Sequence, residues 1–175
     1  ILSRFRLIDR GRIVTMPVRV ILAVAFFNVL LSLHNIWPTP WIRLAPELSV
    51  ELFAILLAAA IALEINQKFA RALVVCLTVV FVVLAIGRYA DVTAPSLFGR
   101  PINLYWDARH VPNVALMLIE VTPLWRILLG AAAALLFVSA ILYSIRYAVK
   151  IIILGFANIR LRRATGVASI LMLAL

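Results

Sequence analysis

Residues 127–145 read ILLGAAAALLFVSAILYSI, nineteen positions without a charge. A helix lying half in water carries a polar face that returns every three to four residues. No such face exists here, and the run is close to the roughly 20 apolar residues that a bilayer-spanning helix needs. Thr122 fits an N-cap and Pro123 the first helical turn, where a missing N–H costs nothing. Tyr143 and Tyr147 mark the far interface. The stretch therefore predicts a membrane-spanning helix over 123–150.

Three similar runs precede it. Pro17 to Trp37 has an apolar body, Val20–Leu33, with Asn28, Ser32 and His34 along or near one stripe. Pro38 and Pro40 end it, and Trp37 and Trp41 bracket that end as interfacial anchors. A second helix is expected over 46–70, starting near Pro46, with Glu51 and Glu64 at the two ends of its core. Ala54, Ala58 and Ala62 repeat there at i+4 and predict a small-residue ridge for close helix packing. Gly130 and Ala134 form a second such pair in the helix over 123–150. A third helix is expected over 71–92, with Pro95 stopping the run; its Cys76 reads as buried filler. After 150, the segment Ile151–Arg163 reads as a bend or an interfacial helix. A fifth helix is expected from Ala164, truncated at Leu175.

The composition agrees. Of the 175 residues, 66% are hydrophobic and 14% charged, against roughly 45–50% and about 25% in ordinary globular chains. Mean hydropathy is +1.13. This excludes a water-soluble enzyme or a free nucleic-acid binder, because too few polar groups exist to cover the apolar surface. The expected fold is all-α: a polytopic transmembrane helix bundle with four full spans, a truncated fifth and a folded outer loop. Residues 1–16 form a basic N-terminal segment, and 17–175 the membrane domain. No cleavage site follows the basic stretch Arg4–Arg19, so it does not read as a signal peptide. The missing initiator Met and the apolar end at Leu175 suggest part of a longer polypeptide.

Net charge is +10. Arg4, Arg6, Arg10, Arg12, Arg19, Lys68, Arg71, Arg146, Lys150, Arg160, Arg162 and Arg163 fall on one side of the expected topology. Arg43, Arg88, Arg100, Arg109 and Arg126 fall on the other. The bias puts the N-terminus in the cytoplasm and the C-terminal continuation outside.

The outer connection, Gly87–Trp125, is too long for a passive loop. Its aromatics and prolines argue against a disordered linker. Val111–Val121, capped by Pro112, reads as a short re-entrant or surface helix, within an outer cap over 93–122. Arg100 and Arg109 are the best phosphate candidates, because a guanidinium can bind phosphate bidentately. Asp107 and Glu120 suit a headgroup amine, and Tyr105 and Trp106 would set the depth. The simpler readings are an Arg88–Asp91 pair at i, i+3, solvated charge at Asp107, Arg109 and His110, and an ion pair of Glu120 with Arg126 or Arg88. These seven positions, Arg88, Arg100, Tyr105, Trp106, Asp107, Arg109 and Glu120, are the expected contacts to a lipid headgroup or a partner.

No phosphate loop, nucleophile elbow or zinc-protease motif is present. His34 and His110 without a carboxylate cluster do not make a metal site, and the single cysteine excludes an intrachain disulfide framework. Helix centres hold no carboxylate pairs of the kind proton relays use, which argues against an ion-coupled transporter.

The segment RYADVTAPSLFGRPINLYWDARHVP, Arg88–Pro112, resembles one found in N-terminal membrane domains of bacterial sulfatase-like hydrolases and transferases. These belong to the alkaline phosphatase superfamily and include phosphoethanolamine transferases. The resemblance implies five helices in the bacterial inner membrane, a phospholipid donor, and a catalytic domain outside after helix five. The metal, such as zinc, and the Thr or Ser nucleophile would belong to that domain, so no catalytic residue, metal ligand or cofactor is assigned within this chain. The competing expectation is a non-catalytic membrane subunit of a respiratory or photosynthetic complex. No nucleic-acid partner is expected.

Overall fold

The computed structural model describes residues 10–36, 41–45, 47–100 and 103–174. Trp37, Pro38, Pro40, Pro46, Arg4 and Arg6 lie outside them. The architecture is all-helical, with six helices and one small hairpin among the described residues. In order these are α1 (Arg10–Leu31), β1 (Leu33–Asn35), β2 (Ile42–Leu44), α2 (Val50–Ile65), α3 (Ala70–Phe98), α4 (Leu104–Val121), α5 (Leu124–Phe156) and α6 (Ile159–Ala174). A 3-10 turn, Gln67–Phe69, joins α2 to α3.

Two stretches, Gln67–Pro95 and Leu124–Phe156, are long and apolar enough to cross a membrane. Their most apolar windows are only 11% and 0% buried within the protein. The core helix of a water-soluble protein would bury that window. Here Val75, Val79, Val83 and Ile86 of α3 and Leu128, Leu135, Leu136 and Phe137 of α5 are exposed. Apolar surface on that scale marks a membrane or protein contact. Three helix hydroxyls bond within their own helix: Thr78 donates to Val74 O (2.6 Å), Thr93 to Tyr89 O (2.7 Å) and Ser144 to Ala140 O (2.8 Å). Such bonding to the carbonyl four residues back is how a lipid-facing helix tolerates a hydroxyl.

The core lies on one stripe each of α1, α2, α3 and α5. Phe27 of α1 and Phe81 of α3 stack with centroids 3.9 Å apart, and both are fully buried. Around them pack Leu52, Leu56, Ala59 and Leu63 of α2 and Ile145, Val149, Ile152 and Phe156 of α5. α2 lies mainly against α6, and α5 against α1 and α3. The core stops near Ile141, so the first half of α5 joins no core stripe.

Several expected boundaries are corrected. α1 begins at Arg10, so Pro17 lies inside it, and it ends at Leu31 rather than Trp37. The chain then turns into an antiparallel hairpin that pairs Leu33 with Leu44, His34 with Arg43 and Asn35 with Ile42. β-branching and a run toward proline favour extended backbone there. α2 spans 50–65, not 46–70, because Ser49 caps it: its hydroxyl accepts from Leu52 N at 3.3 Å. At its other end Asn66 adopts an extended conformation and caps the following turn.

Pro95 does not stop α3. The helix continues to Phe98 and ends at Gly99, whose φ of 65° is left-handed, with Gly99 N bonded to Pro95 O at 2.9 Å. A proline this near a C-terminus removes only one ladder bond. Likewise Pro112 sits inside α4, which begins at Leu104 and not Val111. Thr122 ends α4 and does not cap α5, whose N-cap is Pro123. α5 runs through Phe156 without the expected bend at 151, and α6 starts at Ile159 rather than Ala164. Among the described residues two helices meet the length and hydropathy requirement, and four full spans are not confirmed; α2 and α6 have 16 residues each. Cys76 is exposed on α3, not buried.

Candidate functional site

The hairpin end of the bundle gathers polar groups that are far apart in sequence. Asn28, near the end of α1, uses its side-chain amide as a splice to the segment before α2. Its Nδ2 donates to Glu47 O (2.8 Å), and its Oδ1 accepts from Ser49 N (2.9 Å). The Ser49 hydroxyl donates to Glu51 Oε2 (2.8 Å). His34 Nε2 lies 3.1 Å from Glu47 Oε2. On α3, Arg88 Nε donates to the Leu33 carbonyl at 3.1 Å and so ties that helix to the hairpin. The sequence expectation of an Arg88–Asp91 ion pair is corrected: no such pair occurs among the described residues.

Between these elements lies a cavity of about 440 Å³, lined among others by Ser32, Glu47, Ser49, Glu51, Arg88 and Asp91. A second cavity of about 420 Å³ adjoins it across Arg88 and Asp91, with His34 on its wall. The site therefore presents three carboxylates and one guanidinium at the end of an apolar bundle. Opposite charges at such a boundary are what a zwitterionic headgroup would meet. Among the described residues, no three or more His, Cys, Asp or Glu side chains come together as a metal-binding group.

The remaining expected site residues do not join Arg88. Arg100 and Asp107 pair with each other, at 2.5 and 3.3 Å. Asp107 Oδ2 also accepts from Asn103 N (2.8 Å), while Asn103 Oδ1 accepts from Tyr105 N and Trp106 N. This reciprocal arrangement caps α4. The Arg100 guanidinium, and then the Asn103 N–H, hold the Asp107 carboxyl below the usual carboxylate range. Tyr105 and Trp106 meet edge to face at 5.2 Å, and Arg109 lies 5.9 and 5.7 Å from their centroids. Glu120 is exposed at the other end of α4, about 20 Å along the helix from Asp107. Its expected pairing with Arg126 or Arg88 is corrected as well: no such pair is found among the described residues. Arg126 instead lies over Trp125 at 5.1 Å.

The expected packing ridges face away from the core. Ala54 and Ala58 are exposed and Ala62 is half-buried; α2 packs through Leu52, Leu56, Ala59 and Leu63 instead. Gly130 and Ala134 are exposed, and nothing lies within 4 Å of a Cβ built at Gly130. The tight approach is at Gly155, where such a Cβ would overlap the Val20 Cγ2 methyl and lie 3.2 Å from Leu161 Cδ2.

At the opposite end of the bundle, Glu64 and Arg162 fasten α2 to α6. Arg162, 4% exposed, donates from Nε to Glu64 Oε2 (2.6 Å) and from a terminal nitrogen to Phe156 O (3.1 Å). Arg163 reaches Glu64 Oε1 at 3.3 Å. Charge alone reads these arginines as loop cations, and the pairing with Glu64, 98 residues earlier, appears only in the folded chain.

No protein-family model, curated protein or solved structure matches the chain.

Proposed function

We propose that this chain is a multi-pass domain of the bacterial inner membrane, N-terminus cytoplasmic, that holds the headgroup of a phospholipid donor. It would serve a sulfatase-like, phosphoethanolamine-type transferase whose catalytic residues lie outside these residues. The observation that carries the reading is the mixed-charge cavity at the hairpin end, where Arg88 stands among Glu47, Glu51 and Asp91. Arg88 would meet the phosphate and the carboxylates the amine. Phospholipid held there would keep its tails in the bilayer and its headgroup near the reacting domain, so the contribution is proximity. The Arg88–Pro112 resemblance supports the same reading. Arg88 replaces Arg100 as the leading phosphate ligand, because Arg100 already braces α4 through Asp107.

The test is lipid retention by the purified chain in nanodiscs containing equal phosphatidylethanolamine and phosphatidylglycerol. The wild type is expected to enrich phosphatidylethanolamine, with Arg88→Ala and Glu51→Gln each reducing that enrichment several-fold. Equal retention of both lipids by all three proteins would remove the proposal. A second reading, a non-catalytic subunit of a respiratory or photosynthetic assembly, draws on the uncovered first half of α5. It requires a stoichiometric partner to co-purify in mild detergent and to be lost on Leu136→Asp.

A further inference from the structure

α4 is exposed at every position from 111 to 121, and its residues divide by face. Ala108, Val111, Ala115 and Leu118 follow one another at spacings of three and four, with Ile119 four residues beyond Ala115, and form one apolar stripe. Arg109, Asn113 and Glu120 form the opposite, polar stripe. Leu116 and Met117 border the polar stripe, so the apolar arc is the wider of the two. Only Thr122 and Pro123 separate α4 from α5. An Arg–aromatic cluster stands at each end: Arg109 with Tyr105 and Trp106 before the apolar run, and Arg126 with Trp125 just after it. Amphipathic rings and guanidinium groups both settle at headgroup depth. A helix held at that depth at both ends lies in the plane of the membrane.

We propose that α4 is an interfacial helix that docks on the outer leaflet. Its Val111–Ala115–Leu118 face enters the acyl boundary, Asn113 and Glu120 face water, and Arg109 sits at the level of the headgroup phosphates. The occupant of its apolar face is the lipid surface. A protein groove would leave the two Arg–aromatic clusters without phosphates to meet, whereas a leaflet offers phosphates at both ends of a roughly 27 Å helix. The proposal goes beyond headgroup selection at Arg88 and rests on the reading that α3 and α5 cross a bilayer.

Spin labels on the full chain test it, in vesicles of phosphatidylethanolamine and phosphatidylglycerol. Single cysteines would be placed at Val111, Asn113, Ala115, Leu118 and Glu120 in a Cys76→Ser background, with Leu136 of α5 as the reference. All five α4 positions are exposed and outside the core, so labelling leaves the bundle intact. Labels at 111, 115 and 118 should be several-fold more accessible to oxygen than to an aqueous nickel chelate, and those at 113 and 120 the reverse. Equal access of the nickel reagent to all five would overturn the proposal by showing a helix standing off the membrane. Protection of 111, 115 and 118 from both reagents would overturn it in favour of a protein partner or a second copy. Should Leu136 itself be open to the nickel reagent, the membrane reading of α5 fails and the docking fails with it. An oxygen-accessible Leu136 beside unpatterned α4 labels removes the docking alone.

Discussion

Gly155→Ala adds one methyl at the tightest glycine contact among the described residues. The new Cβ would overlap Val20 Cγ2, lie 3.2 Å from Leu161 Cδ2, and be 3.8 Å from Val20 Cβ. Val20 is 3% exposed, and a β-branched side chain in a helix has one strongly preferred rotamer, so the methyl has no second place to go. Restoring ordinary contact therefore requires α1 and α5 to move apart. Overpacking of this kind costs about 1–3 kcal/mol. Against it stands the helix propensity gained by replacing Gly, about 1 kcal/mol. The net expectation is destabilisation by up to about 2 kcal/mol. In a Val20→Ala background the blocking methyl is gone, and the remaining near neighbour, Leu161 Cδ2, is the far end of a flexible side chain. There the same Gly155→Ala change should stabilise, by roughly 0.5–1 kcal/mol. The sign reversal is the signature, with a coupling of about 1–3 kcal/mol in the double-mutant cycle. Unfolding in mixed micelles, followed by helical circular dichroism, reads it. Gly155→Ala having the same sign and size in both backgrounds would refute the close α1–α5 approach.

Other perturbations reach the two ends of the bundle. Glu64→Ala leaves Arg162 buried without its carboxylate and should lower the unfolding midpoint clearly. Arg163→Ala, on an exposed side chain, should change stability by about 0–1 kcal/mol; equal effects would mean that the α2–α6 tie does not run through Arg162. For Asp107 the folded carboxyl lies below its ordinary value, so its contribution is complete above the unfolded pKa and lost as pH falls through the folded one. A spin label at Ala108 should therefore be ordered at pH 6 and grow mobile below about pH 4, while Asp107→Ala is mobile at both; an unchanged signal across the range would remove the cap. Phe27→Ala opens the Phe27–Phe81 stack and should cost about 3–5 kcal/mol in the same micelle assay, whereas Phe26→Ala, on the half-exposed side of α1, should cost much less.

The helical class was legible in the sequence because charge-free runs of this length leave few alternatives. Boundaries were less legible, and each miss has a local cause. Pro17, Pro95 and Pro112 read as stops or starts; Pro95 lies in the last turn of α3, where one lost ladder bond is tolerable, while Pro17 and Pro112 lie farther inside their helices. The small-residue rule pointed to Ala54, Ala58, Ala62, Gly130 and Ala134, but spacing does not say which face of a helix meets a neighbour. Ala59 and Gly155, in equally apolar sequence, are the positions buried at helix contacts. Of the hairpin-end cavity, Arg88 is the one lining residue that the sequence marks for a headgroup; Glu51 reads only as a helix-end charge and Asp91 as its i+3 partner. Glu47 and Ser49 carry no signal, because they lie some 40 residues before Arg88 and only the folded chain brings them together. Asn103 carries a weaker signal: Asn is a favoured N-cap.

The tie between Glu64 and Arg162 joins residues 98 apart in the chain. A ribosome adding roughly 5–20 residues per second needs about 5–20 s to make that interval. Throughout it α2, only 16 residues long, exists without the helix it packs against most. Its carboxylate waits for an arginine not yet translated. Folding of these helices is therefore a race between retention of a short Ala-rich helix and arrival of the later-made α6, and a factor that shelters α2 would act within those seconds.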